Sequence, residues 1–320
     1  MKEPRVTVLI TVRNNAATIK QCIESVLRQS YKNYDAMVVD AYSDDGTYEI
    51  LKSFDKKIKL YRVHGWAPKA YNFAIDRIKS EFVAFTDGDC VVDKSWLKEL
   101  VSAFNSGNVL ATAGYCGTSK NVTTLQRTIG MELENRFRNF PEFISRAPTM
   151  NLCVKTNILK KLKFDERFKV AFETDFGYRL NEIGKMRYNK NAKIYHYHRA
   201  SWRDLFKQQK TYGEYTFLIS MKYKRKMLGD HITNPYMLAQ VPAFWLMIVS
   251  IFLSFFDKFF LNIIALLIFV IIFVFIIKIH KMKIKSKYIP MFLIFFSFRM
   301  IAWSLGLIRG VINYISYPRR

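Results

Sequence analysis

Phe82-Val83-Ala84-Phe85-Thr86-Asp87-Gly88-Asp89 reads as a buried β-strand that breaks on a tight acidic turn. The uncharged run, β-branched and aromatic, suits a strand interior. Asp-Gly is a turn former that ends it. Toward the N-terminus the same alternation repeats. Val6–Val12 is a strand; Ala17–Gln29 is a helix with Ile19, Cys22, Ile23, Val26 and Leu27 on one face. Ala36–Asp40 is a strand, Gly46–Phe54 a helix and Ile58–Val63 a strand. Pro68, in a first helical turn, opens a helix running to about Lys79. This order predicts an α/β fold with a mostly parallel, helix-covered sheet. Such sheets bind ligands at the carboxyl ends of their strands. Polar residues gather there: Thr11, Arg13, Asn14 and Asn15, then Asp40, then Asp87 and Asp89.

Toward the C-terminus, Val109–Tyr115, Met150–Val154 and Ile194–His198 read as strands and Thr123–Asn139 as a helix. The character then changes. Met237–Phe256 is 20 residues without charge, and Phe259–Ile277 is 19. Each is long enough to span about 30 Å of hydrocarbon. Asp257 and Lys258 alone separate them, which predicts a hairpin. Lys222, Lys224, Arg225 and Lys226 precede it; Lys278, Lys281, Lys283, Lys285 and Lys287 follow it. Both basic clusters are expected on the cytoplasmic side of a cell membrane, where a two-span hairpin puts them together. A third apolar stretch, Tyr288–Ile308, contains Arg299. It either spans with Arg299 turned toward other helices or lies in the interface. The expected division is therefore a catalytic domain over 1–225 and a membrane domain over 226–320.

The formal net charge is +24. Residues 1–236 carry 40 basic and 25 acidic side chains, residues 237–320 carry 10 and 1. Much of the charge thus borders apolar spans, which points to membrane lipids rather than nucleic acid, and no zinc finger or RNP motif is present. Apolar residues make up 50% of the chain, which excludes disorder. Cys22, Cys90, Cys116 and Cys153 lack CxxC spacing and read as core residues of a reducing compartment. No signal peptide is expected, because Val6–Val12 is too short for an apolar core of one.

Two carboxylates two residues apart on a tight loop suit a hard divalent cation, which neutralises a diphosphate leaving group. Read alone, the triplet is equally a plain turn. Its company decides. Thr7-Val8-Leu9-Ile10-Thr11-Val12-Arg13-Asn14, Ser25-Val26-Leu27-Arg28-Gln29-Ser30-Tyr31 and Val38-Val39-Asp40-Ala41-Tyr42-Ser43-Asp44-Asp45-Gly46-Thr47 stand in order before it. Ala70-Tyr71-Asn72, Phe164-Asp165-Glu166-Arg167-Phe168, Glu173-Thr174-Asp175 and His196-Tyr197-His198 complete the series. Over about residues 5–215 the chain resembles family-2 glycosyltransferases, whose GT-A fold is a nucleotide-sugar-binding α/β sandwich.

The resemblance implies roles. Thr11, Arg13, Asn15 and Asp40 would hold the nucleotide, with Asp40 otherwise a turn former. Lys69 and Asn72 stand where the family has groups near the diphosphate, with Lys69 otherwise a solvated helix residue. Asp87 and Asp89 fall at the DxD position, serving ribose and metal, and His196 matches a late metal ligand with His198 two residues on. The metal would be Mn2+ or Mg2+. Glu173 and Asp175 match the acidic motif of the catalytic base, with Phe172 and Glu173 replacing the usual first pair. Alternatively Glu173 pairs with Arg167 or Arg179. Ala41 replaces a second aspartate near the base. Thr211 and Tyr212 depart from the pattern of processive synthases, which implies transfer of a single sugar. The implied function is a metal-dependent, inverting, membrane-bound glycosyltransferase with a nucleotide-sugar donor and a lipid-linked acceptor. The helix at Thr123–Asn139, with Arg127, Arg136 and Arg138, either rests on the membrane or packs. The contrasting reading is a decayed transferase fold serving as a membrane scaffold.

Overall fold

The computed structural model describes residues 3–105, 107–224 and 228–316. Arg225 and Lys226 of the first basic cluster lie outside them. The chain forms two compact units: residues 1–122 with 136–198, and residues 123–135 with 199–320. This division differs from the expected boundary near 225. The first turns of one helix and the whole segment from Arg199 group with the apolar helices.

The first unit is built on one sheet. Strands β1 (Val6–Val12), β2 (Tyr34–Asp40), β3 (Lys59–Arg62) and β4 (Phe82–Asp87) run parallel in the order β3-β2-β1-β4. Helices α1 (Ile19–Leu27), α2 (Thr47–Lys52) and α3 (Ala67–Ile75) connect them. Every expected element of this stretch is present. Ile19, Cys22, Ile23 and Val26 are fully buried, each apolar side chain removed from water contributing roughly 1.5–3 kcal/mol.

Beyond β4 the sheet is mixed. Strand β5 (Cys90–Val92) and helix α4 (Trp96–Ser102) follow the acidic turn. Strands β6 (Val109–Thr118), β7 (Phe143–Ile144), β8 (Leu152–Lys155) and β9 (Lys185–His196) extend it in the order β4-β8-β6-β9-β5. β8 is antiparallel to β4 and β6, whereas β6 and β9 are parallel. β7 pairs with β9 antiparallel. Met150 belongs to a short 3-10 turn preceding β8. β9 starts nine residues before the expected Ile194, because its alternation is written in charged residues. Lys185, Asn191 and Lys193 face solvent while Met186, Ala192 and Ile194 are buried. Helix α6 (Thr156–Leu162) and helix α7 (Phe172–Asn181) lie between β8 and β9. An aromatic cluster of Tyr71, Phe85, Phe164, Phe172 and Phe176 fills the core under them.

The second unit is helical: the first twelve residues of α5 (Thr124–Arg138), then α8 (Trp202–Lys222), α9 (Pro235–Leu253), α10 (Phe259–Lys281) and α11 (Ile289–Ser316). Thr123 and Gln126 cap α5 reciprocally, each side chain accepting the other's backbone N–H. The start of α5 packs: Leu125 joins Leu205, Phe275, Ile279, Phe292, Phe295 and Phe296 in one apolar cluster. Glu132, 1% exposed, accepts from Lys278 Nζ at 3.0 Å and Arg299 Nη1 at 3.3 Å. Arg299 is therefore turned into the protein. Among the described residues, three stretches are helices long and apolar enough to cross a membrane: Pro235–Leu253, Phe259–Lys281 and Ser286–Ser316.

Candidate active site

The carboxyl ends of the parallel strands converge as a sheet of this type requires. Thr11 and Asp87 are register partners on β1 and β4. Gly88 is needed for space: a Cβ there would lie 2.7 Å from Val12 Cγ1. The Gly88 carbonyl accepts from Thr18 Oγ1 and the Asp87 carbonyl from Cys22 Sγ. These bonds fix the turn, leaving the two carboxyl groups half-buried.

Asp89 Oδ1 stands 3.3 Å from His196 Nε2. Cys90 Sγ lies 3.8 Å from the same oxygen, and the three donors form one cluster able to hold a metal ion. The register explains it: Cys90 and His196 are direct partners across β5 and β9. His196 Nδ1 also contacts His198 Nδ1 at 2.9 Å. Carboxylate and imidazole are fitting donors for a divalent ion. Asp87 is held by Tyr71 Oη at 3.4 Å. Burial, then the Asp89 charge, push the Asp87 carboxyl up to about 7, with His196 pulling against them and Glu173 adding to them. Burial also pushes the Tyr71 hydroxyl up, Asp87 and Glu173 adding to it. Asp87, Asp89, His196 and Glu173 thus share one electrostatic field.

Glu173 lies in the first turn of α7, whose N-cap Ala171 is left-handed with φ 65°. Burial raises its carboxyl above the ordinary glutamate range, opposed by its own backbone N–H and by Arg146. Its expected surface partners are elsewhere: Arg167 pairs with Asp165, and Arg179 with Asp175. Asp175 is fully buried. Its ion pair holds Arg179, which donates to the Leu162 and Lys163 carbonyls. Asp175 therefore braces α7 against the chain leaving α6.

The other expected residues build loops. Asp40 is fully buried and accepts from Ser43 N, Ser43 Oγ and Arg62 Nε. Asn72 clamps Phe164 by two backbone bonds of 2.9 Å and donates to Glu166. Asn15 contributes its backbone N–H to Thr47 Oγ1 and its carbonyl to the start of α1. Arg13 and Lys69 are exposed, at the end of β1 and the start of α3. The loops after β1 and β2 are clasped by Asn14 N to Ser43 Oγ, Asp44 N to Asn14 Oδ1 and Ala16 N to Asp45 Oδ2. Cys90, Arg62 and Arg146 are additions of the structure. Cys90 adjoins the acidic triplet, a cue legible in the sequence; the other two carry no motif.

The geometry defines a corner at the strand ends whose carboxylate, thiol and imidazole donors could hold a metal ion. Residues 7–168 match the family model described as glycosyl transferase family 2, and the chain belongs to that family. Glycosyltransferase AglE of Haloferax volcanii is 30% identical over 169 residues, covering 49% of this chain and 54% of that protein. The pre-mycofactocin glycosyltransferase of Mycobacterium tuberculosis is 26% identical over 224 residues, covering 65% and 46%. The chain thus matches about half the length of these relatives. Among solved structures, the mannosyltransferase PcManGT of Pyrobaculum calidifontis, in complex with GDP-Man and Mn2+, superposes with a TM-score of 0.61 at 14% identity. The match covers 98% of this chain and 88% of that one. At that identity the likeness speaks for the fold.

Proposed function

We propose that this protein is a membrane-bound, inverting glycosyltransferase that moves one sugar from a nucleoside-diphosphate sugar to a lipid-linked acceptor. The observation that carries the reading is the convergence of Asp87, Asp89 and His196 at the strand ends with Glu173 in the same field. Asp89, Asp87 and His196 would hold Mn2+ or Mg2+, which when bound supplies charge neutralisation for the diphosphate. Mn2+ beside a nucleotide sugar in a structure of the same fold supports that choice.

Thr11, Arg13, Asn15, Asp40 and Lys69 surround the donor's place, Asp40 by shaping its loop and the exposed Arg13 and Lys69 by charge. With a hydroxyl acceptor, its oxygen attacks the anomeric carbon as the bond to the diphosphate oxygen breaks, and the proton passes to Glu173. A lipid phosphate acceptor is already anionic and needs no base. The apolar helices and basic flanks support a lipid-linked acceptor and a catalytic domain on the cytoplasmic face, a donor-rich compartment.

The test is a donor screen on detergent-purified protein. Each nucleotide sugar is supplied with Mn2+ or Mg2+, and nucleotide release is measured with and without polyprenyl phosphate or a lipid-linked glycan. One donor is expected to release nucleotide on addition of acceptor, and Asp89→Ala to abolish it. Full transfer by Asp89→Ala in chelator would overturn the site. Failure to bind any nucleoside diphosphate would favour the scaffold reading.

A further inference from the structure

The geometry points to Cys90 as a thiolate ligand of the divalent cation, one that makes the corner select Zn2+ or Co2+ over Mn2+ and Mn2+ over Mg2+. The inference rests on the reading above that Asp89 and His196 hold a divalent cation, and it names the class of ion they take. Cys90 and His196 are direct partners of the antiparallel strands β5 and β9, and paired residues of such strands present their side chains on one face. Strict alternation would send the preceding Asp89 to the other face. Asp89 lies in the turn before β5, not in the strand, so its carboxylate returns to the same side. Its Oδ1 stands 3.3 Å from His196 Nε2 and 3.8 Å from Cys90 Sγ. All three donor atoms lie within 4.8 Å of one another.

These separations suit a single ion. Zinc binds carboxylate, imidazole and thiolate at about 2.0–2.3 Å, so at a tetrahedral angle oxygen and nitrogen lie about 3.3 Å apart and oxygen and sulfur about 3.5 Å. A small movement of the sulfur closes the set. Cys90 is 1% exposed, whereas the Asp89 and His196 side chains are 16% and 17% exposed. The thiol therefore forms the inner wall of the corner, and the carboxylate and imidazole form its outer walls. His196 Nδ1 meets His198 Nδ1 at 2.9 Å, the kind of second bond through which a metal-bound imidazole holds its tautomer.

The donor set decides the ion. Mg2+ takes oxygen ligands and keeps several of its waters. Imidazole and thiolate favour softer ions, and affinity for such a set climbs from Mn2+ to Co2+ and Zn2+. Binding exchanges a proton for the metal: the S–H bond breaks, the sulfur–metal bond forms, and the proton leaves to solvent. A thiol that only fills the core would keep its proton on sulfur and leave the choice of ion to the carboxylates and the imidazole.

The experiment uses full-length protein in detergent, stripped with chelator and titrated with Co2+, then with Zn2+, Mn2+ and Mg2+ in competition. No nucleotide or acceptor is needed. Wild type is compared with Cys90→Ser, Cys90→Ala and, as a control, Cys153→Ala, whose thiol is buried in β8. Co2+ is expected to give wild type and Cys153→Ala a thiolate-to-cobalt charge-transfer band in the near ultraviolet. Both Cys90 variants are expected to bind Co2+ without that band, and their preference for Zn2+ over Mn2+ to fall about tenfold or more. Cys90→Ser puts oxygen in place of sulfur at similar volume, so the comparison stands even where Cys90→Ala unfolds. A band retained in Cys90→Ser, an unchanged ion preference, or Co2+ bound by wild type without the band overturns the thiolate ligand and leaves the carboxylate–imidazole reading standing. Wild type that binds no divalent cation overturns that reading, and the thiolate falls with it.

Discussion

Glu173 carries opposite demands at the scale of one residue. Burial raises its carboxyl, so the folded protein favours the protonated form while the base role proposed for it needs the ionised one. The sign follows from linkage: a raised carboxylate leaves the fold less stable once pH exceeds the residue's unfolded value. Glu173→Gln removes that cost. Its melting temperature is expected to match wild type in acid and to be no lower, or higher, near neutrality. With a hydroxyl acceptor the same variant is expected to lose about 10²–10⁴-fold in rate, whereas a phosphate acceptor would leave the rate intact. Wild-type hydroxyl transfer should fail as pH drops through the raised carboxyl, above the ordinary glutamate value of 4.5. An acid limb at or below that value would remove Glu173 from the base role.

Single residues also show what a sequence exposes and what it hides. Asp87, Asp89, His196 and Glu173, which the structure sets in one field, are legible because the proposed chemistry demands their types at ordered places. The part Asn72 plays is not: its clamp reaches Phe164, 92 residues away. Asp40 and Asp175 carry the right residue types, yet their carboxylates face Arg62 and Arg179. Which cation meets which carboxylate is settled by packing, and a motif records only the carboxylate.

Helix α7 depends on one such pair at the scale of an element. Asp175→Ala would leave Arg179 without its carboxylate while its other donors stay bound to the Leu162 and Lys163 carbonyls. Removing one partner of a buried pair costs about 3 kcal/mol, so the variant is expected to melt several degrees lower and to lose activity through misplacement of Glu173. Asp175→Asn keeps a hydrogen bond and should recover part of the stability. A catalytic role at Asp175 would instead show as lost rate at unchanged melting temperature. The contact of α8 with α11 is set by absent side chains. A Cβ on Gly306 would lie 2.1 Å from the Lys210 carbonyl oxygen, and one on Gly213 would lie 2.4 Å from that of Trp303. Gly306→Ala forces the helices apart, and overpacking of this kind costs about 1–3 kcal/mol. Detergent-solubilised Gly306→Ala protein should melt measurably lower than wild type.

The membrane helices divide into two kinds at the scale of the whole molecule. In α10, 6% of the most apolar window is buried in protein, and in α9 22%, so their surfaces are left for lipid. In α11 the share is 50%. Its covering partner is α8: Gln209 bonds Trp303, Glu214 bonds Asn313, and Arg309 pairs with Glu214. Helix α8 carries Arg203, Asp204, Lys207, Lys210 and Glu214, residues that are costly inside hydrocarbon. A helix packed along such a partner is better placed in the interface than across the bilayer. Exposed Ile294, Ile301, Ile308, Ile312 and Ile315 provide a lipid-directed stripe at three- to seven-residue steps. Length and composition alone favour a third span; the polarity of α8, unseen until the two helices are paired, argues against it. Two spans and one interfacial helix predict a specific labelling pattern. The four native cysteines are buried, so cysteines introduced singly at Lys258 and Ser316 report the topology through an impermeant maleimide. Lys258→Cys, in the hairpin turn, should react on intact cells. Ser316→Cys should react only after permeabilisation, because an interfacial α11 keeps its end on the side of the basic flanks, the side proposed above as cytoplasmic. Labelling of Ser316→Cys from outside would make α11 a third span and require α8 to follow it into hydrocarbon with its charges.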